Sequence, residues 1–323
     1  MDVIIVCHTE FGFVDDKTII YDKGAKSGVS LGVANSIKLA EKYSAKITFA
    51  VCPEVVDYFP KNTSHEIGLH IHPGWREFAS NKFTYFVGDE YLKNNCKQSL
   101  DSVALRDFSF EEQLGMITSG KEYIQSKLGK EPKIFVAGVL SENNDTIKAL
   151  VAAGMTHDCS ASSPNKNENI DWSRLPRITM PYHPNKSDYQ KKGDLPILMV
   201  PISQFFHKGS ATPELISKVG RSWLKACFLE YYNQGVPLFH FIFHSPSMTD
   251  NYFISAVDDF LAFVSKHKNI HFKFASEIKE YPNKIFKTNM VPYLMNVNKE
   301  IIATGIKKCL GKINNPKNLL TKQ

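Results

Sequence analysis

Short apolar runs separated by amphipathic stretches recur along this chain, and that alternation limits the fold more than any other feature. Val3–Cys7, Lys46–Val51, Glu66–His72, Ile134–Ala137, Thr156–Cys159, Ile197–Val200, Pro237–Phe243 and Ile270–Phe274 read as strands. Between them Gly32–Tyr43, Ser109–Leu128, Asn144–Ala153, Pro213–Tyr232 and Asn251–Lys266 carry helical spacing. Ser109 followed by Glu112 has capping-box spacing, and Gly154 is a stop signal. Seven or eight strands separated by helices imply a parallel sheet. At 323 residues, 43% of them hydrophobic, closure into a barrel is favoured over an open doubly wound sheet.

Residues 76–108 and 160–195 read as long surface loops, which in a compact domain usually flank a site. Beyond Glu280 the pattern breaks at Pro282 and Pro292 and resumes as a helix over Asn298–Leu310. The chain thus divides into a barrel over 1–279 and a basic, partly helical extension over 280–323. Lys307, Lys308, Lys312, Lys317 and Lys322 gather at its end, as a solvated basic tail or as a grip on anionic lipid or nucleotide diphosphate groups.

No stretch has the apolar length to cross a bilayer, and the chain opens on a strand rather than a signal peptide, which points to the cytoplasm. Its six cysteines, Cys7, Cys52, Cys96, Cys159, Cys227 and Cys309, are dispersed without a Cys-x-x-Cys and read as reduced core thiols. No glycine-rich nucleotide or phosphate-loop signature follows any strand. The net charge of +6 forms no aromatic-interleaved stripe, which argues against nucleic-acid binding. Nothing repeats at a short period.

The chemistry concentrates at strand ends. In Glu66-Ile67-Gly68-Leu69-His70-Ile71-His72-Pro73 a strand points His70 and His72 to one side and Ile67, Leu69 and Ile71 to the other. Two imidazoles on one wall make half of a metal site, although the same pair would also serve as one strand-end and one solvated histidine. Parity likewise groups His8 with Glu10 after Ile4 and Val6, and His244 with His240 and Ile242. Three strands therefore finish in His or Glu where a parallel barrel gathers catalytic groups.

These residues resemble polysaccharide deacetylases of the NodB-homology class, carbohydrate esterase family 4. The likeness rests on Glu10, the Glu66–Pro73 run, Phe135-Val136-Ala137-Gly138 with Asn143-Asn144-Asp145-Thr146, Gly154–Ser160, Pro201-Ile202-Ser203 and Phe243-His244-Ser245-Pro246, and it spans roughly residues 1–276. It implies an α/β fold, a distorted (β/α)7-type barrel related to the TIM barrel. It also implies removal of an acetyl group from a sugar with one divalent metal, most often zinc. By position Glu10, His70 and His72 would hold the metal and His244 would protonate the leaving amine.

Two departures stand out. His8 occupies the place of the family's base aspartate, and Val136 that of the arginine that tethers it. The second histidine follows the first by two residues, not four, as in the His-x-His-Pro branch. An arginine without its aspartate would leave an uncompensated charge beside the metal, so the joint loss is coherent. Either His8 or Glu10 takes the proton from metal-activated water, or the fold only binds.

Asp158 is a candidate to orient His244, or else a turn residue. Trp75 is a candidate to stack on a sugar, or else a core or rim residue. The expected substrate is an acetylated sugar, nucleotide- or lipid-linked, in a bacterial surface polysaccharide pathway. The alternatives are a catalytically impaired carbohydrate-binding or assembly protein and a hydrolase of another C–N bond, as in relatives that open cyclic amides or ureides. The oligomeric state has no signature.

Overall fold

The computed structural model describes residues 1–314 except 23, 74, 79–80, 85–101, 103 and 207–208, and only the backbone of 75–78, 81–84 and 308–314. Eight strands build the main sheet: β1 (Asp2–Thr9), β2 (Ile47–Val51), β3 (Glu66–Ile71), β4 (Ile134–Ala137), β5 (His157–Asp158), β6 (Leu198–Met199), β7 (Leu238–His244) and β8 (His271–Lys273). Their order is β6-β5-β4-β3-β2-β1-β7, all parallel, with β8 pairing residues 2–4 of β1 where β2 has not yet begun.

The strands are apolar on both faces because both are covered. Val3, Ile5 and Cys7 of β1 face the helices. Ile4 and Val6 point inward, into a second core with Val136, Leu198, Val200 and Ile242. Residues 200–211 close the barrel between β6 and β7 without a regular ladder. Ser203 N–H donates to His240 O at 3.1 Å and Ile242 N–H to Ala211 O at 3.1 Å. The result is a distorted barrel of the (β/α)7 type.

The helices are α1 (Ser27–Lys42), α2 (Phe110–Leu128), α3 (Asn144–Ala152), α4 (Ile216–Val219), α5 (Arg221–Asn233), α6 (Asn251–Val264), α7 (Val291–Leu294) and α8 (Lys299–Asn314). Ser109 and Glu112 form the capping box of α2, and Asn143 caps α3. The single helix expected over Pro213–Tyr232 is instead three pieces: a 3-10 turn at Pro213–Leu215, then α4 and α5. They part at Gly220, whose φ is +80° and whose missing Cβ would lie 2.7 Å from the Asn298 side chain. The C-terminal extension packs against this break.

The segment 160–195 is no plain surface loop. Ile170, Trp172, Leu175, Ile178, Tyr182 and Tyr189 are buried, and Pro184–Asn185 pairs with Asp188–Lys192 as a hairpin. A second hairpin, Trp75–Phe78 with Asn81–Thr84, lies within the other expected loop. The extension is pinned to the barrel at a buried ion pair. Arg177 and Glu230 form a two-pronged bridge, Tyr293 donates its hydroxyl to Glu230 at 2.9 Å, and Asn289 donates its N–H to Glu230 at 2.8 Å.

Candidate active site

The inward face of the barrel changes character layer by layer. Ile4 pairs in register with His240 and Val6 with Ile242, and at the mouth His8 pairs with His244. His240 is fully buried, its Nδ1 3.1 Å from Val200 O, and burial presses its pKa down to about 4. Glu10 follows β1 and His72 follows β3, so both reach the same mouth from just beyond their strands. Ser245 ties the two strand ends together, accepting from Glu10 N–H at 3.1 Å and donating to Glu10 O at 3.3 Å.

Three donor atoms converge there. Glu10 Oε1 lies 3.0 Å from His70 Nε2 and 2.9 Å from His72 Nε2, and the two imidazole nitrogens are 3.1 Å apart. All three side chains are at most 4% exposed. His70 Nδ1 is 2.9 Å from Val136 O, an oxygen that can only accept, so Nδ1 carries the proton. In the neutral ring Nε2 is then a lone pair, facing a carboxylate oxygen. Groups facing one another in this way must share either a proton or a bound cation. Tetrahedral coordination at about 2.1 Å sets donor atoms about 3.4 Å apart, a few tenths of an ångström wider than the spacing here. Glu10 Oε2 and His8 Nε2 are also buried without a hydrogen-bond partner. The residues present fit a divalent metal.

Burial alone would raise the Glu10 pKa. Where the shared particle is a proton, hydrogen bonds from His70 and His72 outweigh it and hold the carboxyl well below the usual carboxylate range. His72 is pushed down to about 4, chiefly by burial. The same donor set overlaps a group that sequence reasoning missed: Cys52, one residue past β2, has its sulfur within 4.8 Å of Glu10 and His70 donor atoms. Burial, then the nearby Glu54 and Glu10 charges, raise its pKa well above the ordinary thiol value.

His8 sits between the donors and His244, its ring 4.8 Å from that of His70 and 4.8 Å from that of His244. Burial, and then the neighbouring His244 and His70, lower its pKa well below the ordinary value. His244 behaves oppositely. Burial would lower it, but Glu214 raises it, with Glu214 Oε1 3.5 Å from His244 Nδ1 and 2.9 Å from its backbone N–H. Glu214 was not foreseen, because it lies within the segment expected to be one long helix.

Asp158 is not the partner of His244. It stands in register with Phe135 and Met199, both of which face the helices, so its side chain points away from the barrel interior. There it accepts from the Ser160 hydroxyl at 2.5 Å and the Ser160 N–H at 2.9 Å, beside the equally buried carboxyl of Glu142. The strand-end argument placed it on the wrong face. Trp75 begins a hairpin strand, and its side chain lies outside the described residues.

A cavity of 480 Å³ opens over these groups, walled by Tyr21, Ile170, Asn167, Val139 and Leu140. Val139 (φ +47°) and Leu140 (φ +57°) both occupy the left-handed region, which a β-branched residue rarely adopts, and the strain lies at the wall of the pocket. Just before them, a Cβ on Gly138 would lie 2.3 Å from His72 Nδ1. Only glycine leaves the His72 ring its place.

No protein-family model matches the chain, and neither does any curated protein sequence. Solved structures do. A Mycobacterium smegmatis protein assigned as a polysaccharide deacetylase is similar with a TM-score of 0.54 at 17% identity, covering 88% of this chain and 94% of its own. The allantoinase PuuE gives 0.57 at 14% identity, covering 85% and 88%. A Pseudomonas aeruginosa protein, also assigned as a polysaccharide deacetylase, gives 0.54 at 11% identity over 85% and 88%. At these identities the likeness establishes a shared fold, the distorted barrel of the polysaccharide deacetylases.

Proposed function

We propose that this chain is a metal-dependent hydrolase that removes an N-acetyl group from a sugar. The observation that carries the reading is the convergence of Glu10 Oε1, His70 Nε2 and His72 Nε2, flanked by one histidine whose pKa is lowered and another whose pKa is raised. Two titratable groups pushed in opposite directions beside a cavity are the mark of an acid and a base. Glu10, His70 and His72 would hold the cation, with zinc the ion that best suits two imidazoles and a carboxylate. A bound cation of this kind supplies Lewis acidity toward an acyl carbonyl and lowers the pKa of water.

The chain's own residues do the rest. Neutral His8 accepts a proton from the attacking water as the C–O bond forms. His244, held protonated by Glu214, donates to the amide nitrogen as the C–N bond breaks, releasing acetate and a free amine. Val136, through its backbone oxygen, fixes the His70 tautomer. Tyr21, Ile170 and Leu140 give a sugar ring a partly apolar wall.

We place the reaction in the cytoplasm, on an acetylated precursor of a bacterial surface polysaccharide. The four described cysteines, all buried free thiols, suit a reducing compartment, and among the described residues no helix is long and apolar enough to cross a membrane. The test is acetate release by zinc-loaded protein over a panel of N-acetylated monosaccharides and nucleotide sugars. Release from at least one, lost on His244→Ala, supports the reading. Ring opening of cyclic ureides without acetate release would move it to the second reading, which the likeness to an allantoinase supports. Saturable sugar binding with neither reaction would leave a binding protein on a deacetylase fold.

A further inference from the structure

From the surface of the C-terminal extension we infer that this chain docks on an anionic lipid bilayer, whatever its site hydrolyses. Eight of the twelve large apolar side chains exposed among the described residues fall between 285 and 306, including Ile285 at 87%, Met295 at 80% and Leu294 at 64%. They are the outward residues of a segment whose inward ones are used. Tyr293 is buried against Trp223 and Phe206, and Ile301 packs on the core, which leaves Leu294, Met295, Ile302 and Ile306 facing solvent.

Charge decides the partner. Residues 281–323 hold eight lysines and a single acidic residue, so the net charge of +6 is concentrated there and the barrel is close to neutral. Lys284, Lys287, Lys299 and Lys307 are exposed, and none pairs with a carboxylate among the described residues. A second copy of the chain would bring the same lysines against themselves, so an apolar homodimer through this face is opposed electrostatically. Protruding apolar tips ringed by lysines match an interfacial layer of apolar boundary and anionic headgroups.

The placement has a consequence for access. Asn298 Nδ2 donates to Val219 O at 2.9 Å and Thr304 Oγ1 to Lys218 O at 2.7 Å. Both bonds anchor the extension beside the start of α5, the end of that helix nearest the barrel mouth, because α5 runs antiparallel to β7. Docking would therefore lay the flank of the barrel along α5, with the mouth at one end of it, against the lipid surface.

The test is co-sedimentation of the full chain with phosphatidylcholine vesicles, with and without about 30% phosphatidylglycerol, at low and high salt. The expected result is binding that requires phosphatidylglycerol, weakens with salt, and falls at least about tenfold both in Leu294→Ser/Met295→Ser and in Lys299→Glu/Lys307→Glu. All four positions are exposed, and an unchanged circular dichroism spectrum would verify that the variants fold. No binding to anionic vesicles, equal binding to neutral ones, or binding indifferent to the serine pair would overturn the inference. So would a concentration-dependent dimer that Leu294→Ser/Met295→Ser dissolves while vesicles bind nothing.

Discussion

Two carboxylates in this molecule are buried to the same degree and end in opposite states. Glu10 and Glu142 are 2% and 1% exposed, and burial pushes both pKa values upward. At Glu10 the neighbours are imidazoles, whose hydrogen bonds overcome burial and keep the carboxylate charged. At Glu142 the neighbour is Asp158, whose like charge adds to burial and holds the pKa well above the ordinary value. The first faces groups that favour its charged form and the second a group that disfavours it. What a buried acid does is settled by the sign of the groups it faces, not by its depth.

The largest effect should come from removing an imidazole at the charged site. His70→Ala deletes the donor whose tautomer is set by Val136 and leaves Glu10 facing one imidazole. Stoichiometric metal should be lost, and with it essentially all acetate release, on the order of 10³-fold or more. Metal analysis of the purified variant checks it, and full metal content would remove His70 from the ligand set. Next is Gly138→Ala. Its methyl would lie 2.3 Å from His72 Nδ1 and 2.5 Å from the Ile71 carbonyl oxygen, so ring and backbone must both shift, and metal affinity should weaken by at least about 10- to 100-fold. A competition titration with a chelator reads this directly.

The contrast also explains which parts of the site could be read from sequence. His8, Glu10, His70, His72 and His244 were legible because a strand's period of two fixes the face of every residue: His8 and Glu10 continue the face of Ile4 and Val6, His72 that of His70, and His244 that of Ile242. Cys52 was not, since a cysteine one residue beyond an apolar strand looks like any core thiol. Glu214 was hidden by a wrong element. An expected helix over 213–232 gives no reason for position 214 to meet position 244, and the glycine that breaks it costs a helix only about 1 kcal/mol. At the break Asn298, 78 residues away, lies where a Gly220 Cβ would be, a contact that the local sequence does not show. Asp158 failed for another reason: β5 is two residues long, too short for its parity to be read. The barrel itself was legible because many short signals agree with one another, whereas a site partner rests on one contact.

A smaller effect is expected at Glu214. Its carboxylate keeps the His244 pKa above the ordinary value, so His244 holds its proton to higher pH than a free imidazole. Glu214→Gln keeps an acceptor for the His244 N–H and removes the charge. Acetate release should fall about tenfold at neutral pH, and the alkaline limb of the pH–rate profile should move to lower pH, with KM little changed. A uniform loss at every pH would mean that Glu214 only holds the loop. Metal content should be that of the parent.

The smallest effect, and the cleanest test of the contrast, is Glu142→Gln. The native pair keeps a proton that the unfolded chain, with its ordinary glutamate pKa of 4.5, releases as pH rises. The native state therefore binds more protons than the unfolded one above that value, and stability falls with increasing pH until the folded pKa is passed. Its stabilising contribution is complete in acid and lost in alkali. Gln keeps the donor to Asp158 and has no proton to lose. At neutral pH the variant should lie within about 1 kcal/mol of the parent, and its relative stability should improve as pH rises, by at most about 1.4 kcal/mol per pH unit. Urea unfolding of both proteins across the range measures the difference. A gap independent of pH would show that Glu142 and Asp158 share no proton, and the two buried acids would then differ in location rather than in state.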